Sequence, residues 1–365
     1  MSKSDDHGQN PLFEPIRVGP YLLRNRIVKS PMSRMRAAQN DMPTTLMAEY
    51  YSQRASAGLI ITESVQISRQ GKGYRNSPGI YNDEQMRAWK TIADGVHARG
   101  AVIFMQLWHC GRLSHPDLQL NGGQPVGPSA IRPNVEVYTD SGPQAVPEPH
   151  EMDSDEIAQV VDQYFQASLR AKKANVDGIE VHAGNGFLLD QFLRDGTNRR
   201  TDHYGGSVEN RVRLLIEVVE AIIPIWGADR IGVKMSPLST YGDIRDSNPE
   251  ALYSHLVSRL NGYGLAYLHF AEGELLSSRD VPGLDFARLR RMFHGPVIGN
   301  NCYDLAQATE ALQSGKVDMI AFARLFAANP DLVERFRLGA ELNELDVTTL
   351  QSGGAKGYTD YPKLL

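Results

Sequence analysis

Residues Ala101–His109 read AVIFMQLWH, a run of apolar side chains interrupted only by Gln106 and closed by a histidine. A continuous run of this kind, rich in β-branched and aromatic residues, belongs to a strand covered on both faces. The same signature recurs on either side. Arg26–Lys29 and Gly58–Glu63 precede it, and Gly178–His182, Arg230–Ser236, Leu265–Phe270, Pro296–Gly299 and Met319–Ala323 follow. Helical stripes lie between these runs. Met86, Trp89, Ala93 and Val96 mark one; Ile157, Val160, Val161, Tyr164 and Phe165 mark another, opened by Asp153 and Glu156 as a capping box. Val208, Val212, Leu215, Val219 and Ile222 follow Ser207, a good N-cap, and Leu252, Leu256 and Leu260 mark a later helix.

Eight strands alternating with helices form either a closed barrel or an open doubly wound sheet. Open nucleotide-binding sheets carry G-x-G-x-x-G or G-x-x-x-x-G-K-[ST] after the first strand, and neither occurs here. Polar residues instead punctuate the C-terminal strand ends: Ser33, Glu63, Gln106, His182, Lys234, Asn300 and Arg324. Those ends converge on one mouth in a barrel. The sequence therefore predicts a (β/α)8 TIM barrel of the α/β class, one domain over residues 1–365. Residues 12–23 are expected to form a hairpin ahead of it. Residues 111–150, rich in Gly and Pro, are expected to form a long structureless loop or lid after the third strand. The tail 343–365 is polar and irregular.

The chain has 365 residues, 41% of them hydrophobic, and a formal net charge of -5 without a basic run. Neither nucleic acid nor a membrane is an expected partner. With only Cys110 and Cys302, neither a disulfide framework nor a cysteine-based zinc site is expected. The polar, acidic start Met1–Asn10 has no apolar secretion signal, so a cytoplasmic protein is expected. HExxH and G-x-S-x-G are absent, and His115 and His150 have no evident partners, so no metal is expected.

The stretch Gly178–Gly206, GIEVHAGNGFLLDQFLRDGTNRRTDHYGG, carries the most chemistry. With a helical turn after the strand, His182 and Asn185 would face one side and offer two donors to a single oxygen. The plainer alternative has His182 satisfying a backbone carbonyl and Asn185 making a turn. Gln106, at a strand end, offers an amide to a planar heterocycle or belongs to a polar layer of the barrel core. Lys234, on an apolar strand, needs an anion, either a ligand or an acidic neighbour such as Glu63 or Glu180. Gly299-Asn300-Asn301 and Ala323-Arg324 follow the last two strands, where barrels often bind phosphate; Arg324 is otherwise a surface cation.

At these residues the chain resembles the Old Yellow Enzyme family, close to its bacterial branch that reduces nitrate esters, maleimides and enones. The resemblance covers nearly the whole chain. It rests on Glu49–Ser56 (EYYSQRAS), Gln106–Arg112 (QLWHCGR), Asn198–Asp202 (NRRTD), Tyr204–Ser207 (YGGS), Asn329–Leu332 (NPDL) and Gly357–Pro362 (GYTDYP). It implies FMN as cofactor, reduced by NADPH or, second, NADH. Pro31, Met32, Ser33 and Ser64 would border the flavin ring, with the Ser33 hydroxyl near O4. Gln106 would bond its pyrimidine edge and Lys234 would sit near N1 and O2. Asn300, Asn301, Ala323 and Arg324 would hold the phosphate. His182 and Asn185 would bind the carbonyl or nitro oxygen of an electron-poor alkene, with His182 also bordering the cofactor. Tyr74, Trp108 and Tyr358 would line the substrate cavity.

Five positions depart from the family pattern, two of them, Asn301 and Ala323, in the phosphate loops where glycine is usual. Phe187 occupies the place of the usual proton-donor tyrosine, Lys234 that of an arginine, and Ser33 that of a threonine. Without a phenol at 187, protonation falls to Tyr74, Tyr358 or water. Otherwise the substrate needs none, as with nitroalkenes and nitrate esters. Two other functions stay open at this point: a redox-neutral isomerase on the same scaffold, and a flavin-binding protein without turnover. A monomer or homodimer is expected.

Overall fold

Eight parallel strands close on themselves in the computed structural model, which describes residues 10–275 and 277–364. They are β1 (Ile27–Lys29), β2 (Leu59–Ile61), β3 (Val102–Trp108), β4 (Gly178–His182), β5 (Ile231–Met235), β6 (Tyr267–Ala271), β7 (Val297–Asn300) and β8 (Met319–Phe322). Each pairs with the next, and β8 returns to β1 with Ile320 opposite Ile27. Helices α1 (Thr45–Gln53), α2 (Asp83–His97), α3 (Ser154–Lys173), α4 (Arg213–Trp226), α5 (Pro249–Asn261), α6 (Phe286–Met292), α7 (Leu305–Gln313) and α8 (Leu332–Leu338) surround the barrel. The fold is the (β/α)8 barrel that the strand count predicts, with strand ends differing by one or two residues. The capping box at α3 forms, Asp153 accepting from the Glu156 N–H while the Glu156 carboxylate accepts from the Asp153 N–H.

Period-two alternation decides what fills the barrel. On the outer faces, Met105, Leu107, Ile179, Val181, Val233 and Leu268 join the large core shared with the helices. On the inner faces, Val28, Leu59, Ile61, Phe104, Tyr267, Ile298 and Met319 form a separate apolar cluster. Further along the same inward positions come Gln106, Glu180 and His269, all fully buried. Two strand glycines make this filling possible. A Cβ on Gly178 would lie 2.5 Å from the Phe104 ring, and one on Gly232 would lie 2.3 Å from the Tyr267 ring.

The segment before β1 forms a hairpin, Ile16–Val18 against Tyr21–Leu23. Val18 and Leu23 pack into the inner cluster, and Tyr21 meets Phe104 edge on, closing the lower end. The long segment after β3 is not structureless. It holds a hairpin (Glu136–Thr139 with Gly142–Ala145), and Val126–Gly127 pairs with His150–Glu151. Buried Arg112 fixes its path by donating to the carbonyls of Ile131 and Gly242. Leu118, Val137 and Val146 give the loop a small apolar cluster of its own. Among the described residues, no helix is long and apolar enough to cross a membrane.

Candidate active site

At the C-terminal mouth a cavity of about 480 Å³ is lined by residues from most of the βα loops. Pro31 and Met32 come from the loop after β1, Asn185 and Phe187 from that after β4, and Lys234 from β5 itself. Asn300 and Asn301 border it after β7, and Ala323 and Arg324 after β8.

β4 ends at His182, and the chain then turns through Gly184, Asn185 and Gly186 before a short helix, Leu188–Leu193. The turn is not helical: Asn185 has a φ of +58°, in the left-handed region that asparagine tolerates better than most residues. Its backbone N–H donates to the Ser236 hydroxyl, which fixes the turn against β5. His182 Nδ1 and Asn185 Oδ1 are buried and have no partner among the described residues. Burial, with Lys234 and His269 nearby, pushes the His182 pKa well below its ordinary value, so the ring is neutral at physiological pH. The backbone-carbonyl partner considered for His182 is therefore not found at Nδ1.

An aromatic wall backs this turn. Tyr74 stacks on Trp108 with centroids 5.5 Å apart. Phe187 meets Trp108 and His182 edge on, each at 5.1 Å. Trp108, expected in the cavity lining, does not reach it: it is fully buried behind Tyr74 and Phe187, both of which do line the cavity. Burial pushes the Tyr74 phenol well above its ordinary pKa, so it stays protonated.

Below the cavity runs a buried polar network. The Ser64 hydroxyl donates to Gln106 Oε1 at 2.7 Å, and Gln106 Nε2 donates to Glu180 Oε1 at 2.7 Å. Glu180 Oε2 accepts from the Tyr267 hydroxyl at 3.1 Å and lies 2.8 Å from His269 Nδ1. Burial alone would raise the Glu180 pKa. Its contact with His269, the charge of Lys234 and the hydrogen bonds it accepts outweigh that and hold it below its ordinary value. Burial lowers the His269 pKa, so a neutral imidazole donates to an ionised carboxylate. Lys234 lies in the field of Glu180 without forming an ion pair with it; burial brings its pKa down to about 8. Glu63 turns away from the mouth, accepting from the Arg34 backbone N–H and the Tyr51 hydroxyl.

The β7 and β8 loops close the other end. Asn300 Nδ2 donates to the Ser30 hydroxyl at 2.6 Å, tying β7 to β1. Asn301, at φ +103°, donates to the carbonyls of Glu272 and Glu274. Both asparagine amides hold backbone or hydroxyl groups, which leaves main-chain N–H groups and Arg324 to face the cavity. Arg324 is exposed and has no ion pair among the described residues. Ser33 is half-buried beside Met32. Among the described residues no cluster of three or more His, Cys, Asp or Glu side chains is placed to hold a metal.

The tail requires a correction. Tyr358 does not line the cavity; it is fully buried, stacked on Tyr50 with centroids 4.1 Å apart. Arg34 and Arg36 lie over its ring, and the same arginines donate to the carbonyls of Gly357, Leu350 and Thr349. Those bonds pull the tyrosine inward and place Gln351 at the cavity instead. Sequence reasoning also missed Tyr241 and Glu274, which line it. Neither carries a local signal, because both sit in loops whose direction the strand pattern does not set.

Comparison with known proteins agrees with this architecture. Residues 11–343 match the model of the NADH:flavin oxidoreductase / NADH oxidase family. A putative 12-oxophytodienoate reductase 2 of Oryza sativa subsp. japonica is 40% identical, covering 97% of this chain and 94% of its own. Morphinone reductase in complex with tetrahydroNAD superposes with a TM-score of 0.92 at 43% identity, over 97% of this chain and 98% of its own. The old yellow enzyme homologue from Zymomonas mobilis gives 0.93 at 41% identity, over 97% and 99%. The chain belongs to the NADH:flavin oxidoreductase / NADH oxidase family, and within it to the Old Yellow Enzymes.

Proposed function

We propose that this protein reduces electron-poor carbon–carbon double bonds activated by a carbonyl or nitro group, and nitrate esters, using FMN and NADPH or NADH. The donor set fits FMN. Lys234, which lines the cavity, and the Gln106 amide would meet its pyrimidine edge, and Pro31, Met32, Ser33 and Ser64 would flank the ring. Main-chain N–H groups after β7 and β8, with Asn300, Asn301, Ala323 and Arg324, would take the phosphate. When bound, FMN supplies a hydride that it has first accepted from the nicotinamide.

The observation that carries the reading is the loop after β4: Asn185 lines the cavity with a side-chain amide that makes no hydrogen bond among the described residues, and the neutral His182 ring, its Nδ1 unpartnered, ends the strand just before it. A neutral imidazole N–H and a carboxamide N–H held at one place bind a substrate oxygen. They bind it more strongly as negative charge builds there, which is the condition for catalysis. The wall of Tyr74 and Phe187 excludes water and holds the alkene flat. Phe187 holds no transferable proton; Tyr74, protonated, lining the same cavity and 6.3 Å from the Phe187 ring between centroids, is a phenol that can offer one. The relatives' names, 12-oxophytodienoate reductase and morphinone reductase, support a reductase. The complex with tetrahydroNAD supports a nicotinamide reductant.

The test is anaerobic. Holoprotein bleached by NADPH is mixed with 2-cyclohexenone, 1-nitrocyclohexene or a nitrate ester. Reoxidation with one product formed per NADPH supports the reading. Rearranged product without NADPH consumption would establish the isomerase instead, and a flavin that NADPH cannot bleach would leave only a binding protein.

A further inference from the structure

A second cavity of about 400 Å³ opens outside the first, walled by Met35, Arg75, Tyr138, Val347, Leu350 and Gln351. Gln351 lines both cavities, and Tyr74 of the inner one is followed in sequence by Arg75 of the outer. Large apolar side chains left exposed gather here: Tyr138 and Val347, at 51% and 65%, rim the outer cavity, and Tyr241 rims the inner. Arg75 is half-buried, and its guanidinium has no hydrogen bond or ion pair among the described residues. No carboxylate lines the outer cavity. Its walls are held in place: Met35 sits at φ +53° between Arg34 and Arg36, whose guanidinium groups both bind tail carbonyls. A preformed pocket with an apolar side of Met35, Val347 and Leu350, and with Thr348 and Ser352 in its lining beside one unopposed, five-donor cation, matches an apolar spacer ending in an anion.

We propose that the outer cavity is a subsite for an anionic group, carboxylate or phosphate, on a molecule whose reactive end occupies the inner cavity. This rests on the inner cavity being the reaction site. Met35, Val347 and Leu350 cover the spacer, Gln351 marks the passage, and Arg75 takes the anion. Two sources carry this chemistry: the carboxylate of an acidic enone substrate, or a phosphate of the nicotinamide coenzyme.

The experiment uses holoprotein, wild type and Arg75→Gln, with Arg75→Lys as rescue. The substrate arm compares two 2-alkylcyclopentenones of equal chain length, one ending in methyl and one in carboxylate. The coenzyme arm compares NADPH with reduced nicotinamide riboside, which carries no phosphate. Arg75→Gln is expected to lower kcat/KM for the anionic enone or for NADPH by about tenfold to a hundredfold, the loss of a charge-assisted hydrogen bond. The partner compound of that arm should change far less, and Arg75→Lys should recover part of the loss. The arm that responds identifies the source. Equal losses for both members of each pair, or no loss in either arm, would overturn the subsite. Calorimetric affinity for the two enones separates this from the proposed function. If the wild type reduces neither enone, the proposed function fails, while an Arg75-dependent preference for the carboxylate in binding, or for NADPH in the rate of flavin reduction, still upholds the subsite, and the absence of both sinks it.

Discussion

Phe187 meets the His182 imidazole edge to face, with centroids 5.1 Å apart and planes at 78°. The ring is therefore already at the place where the substrate oxygen would be held, and it lines the cavity. Only one oxygen atom separates it from a proton donor. Phe187→Tyr is expected to speed reoxidation of the reduced enzyme by 2-cyclohexenone and to change 1-nitrocyclohexene reduction much less, because a nitronate is a stable anion. General acid catalysis is typically worth about a hundredfold to ten thousandfold, so stopped-flow rates resolve the contrast. Fast wild-type enone reduction, unmoved by the substitution, would assign protonation to another group, with Tyr74→Phe the next variant to measure.

Removing either substrate anchor should be costly in one half-reaction only. His182→Ala and Asn185→Ala are each expected to slow alkene reduction by on the order of a hundredfold or more, the usual effect of losing one oxyanion donor. Flavin reduction by NADPH should fall less. A phenol titration gives an independent reading: the wild type should develop a long-wavelength charge-transfer band that both variants weaken. Unchanged enone turnover in both would remove these residues from the site.

Lys234 gives the cofactor site a titration. Burial brings its pKa down to about 8, with Glu180 opposing the fall and Lys29 adding to it. In the apoprotein it is a cation below that pH and neutral above it. FMN affinity is thus expected to weaken as pH rises through about 8, by up to about tenfold per pH unit for one linked proton. Neutral His182 and His269 and ionised Glu180 do not change charge in this range. Lys234→Arg, whose guanidinium stays charged, should flatten the profile. Fluorescence titration of apoprotein with FMN between pH 6.5 and 9.5 makes the measurement.

The phosphate end is open to a simpler check. Arg324→Ala should weaken FMN retention by about 1.5–3 kcal/mol, the range for a hydrogen bond to a charged group. Heat-released cofactor should chromatograph as FMN. FAD as the main species, or full occupancy of the variant after dialysis, would place the phosphate elsewhere.

Strand positions were legible because they obey one local rule: apolar on both faces, polar at the C-terminal end. That rule located His182, Lys234, Asn300 and Arg324. It misled at Glu63, where Tyr51 and the Arg34 backbone capture the carboxylate from the mouth. The tail obeys no such rule. Which of its side chains reaches the cavity depends on the carbonyls that Arg34 and Arg36 bind, contacts more than 300 residues apart in sequence. Several motifs carrying the family resemblance serve structure: Asn198 spans the carbonyls of Phe192 and Tyr204, and Arg54 holds those of Phe326 and Ala327. A match to such motifs identifies the scaffold more firmly than it assigns the chemistry.

Glu180 links fold and site, and its removal should register in both. The carboxylate is fully buried and accepts from Gln106, Tyr267 and His269. Glu180→Leu strands three donors and leaves Lys234 without its nearby anion. A loss of about 3–5 kcal/mol is expected, as when one member of a buried charged network is deleted. Glu180→Gln keeps one acceptor oxygen and should lose less. The pH dependence has a definite sign. Because the folded-state pKa lies below the ordinary carboxylate value, the stabilisation is present at neutral pH and lost as pH falls through that depressed value. The acid limb of a stability profile should therefore be shallower in Glu180→Leu than in the wild type. FMN binding supplies the second readout: Gln106 donates to Glu180 with one end of its amide and accepts from Ser64 with the other, so its orientation is fixed by both. Freed from Glu180, that amide should hold FMN less tightly at pH 7 even in the better-folded Glu180→Gln. Wild-type FMN affinity in Glu180→Gln, together with an unchanged acid limb in Glu180→Leu, would mean that the network is packing alone.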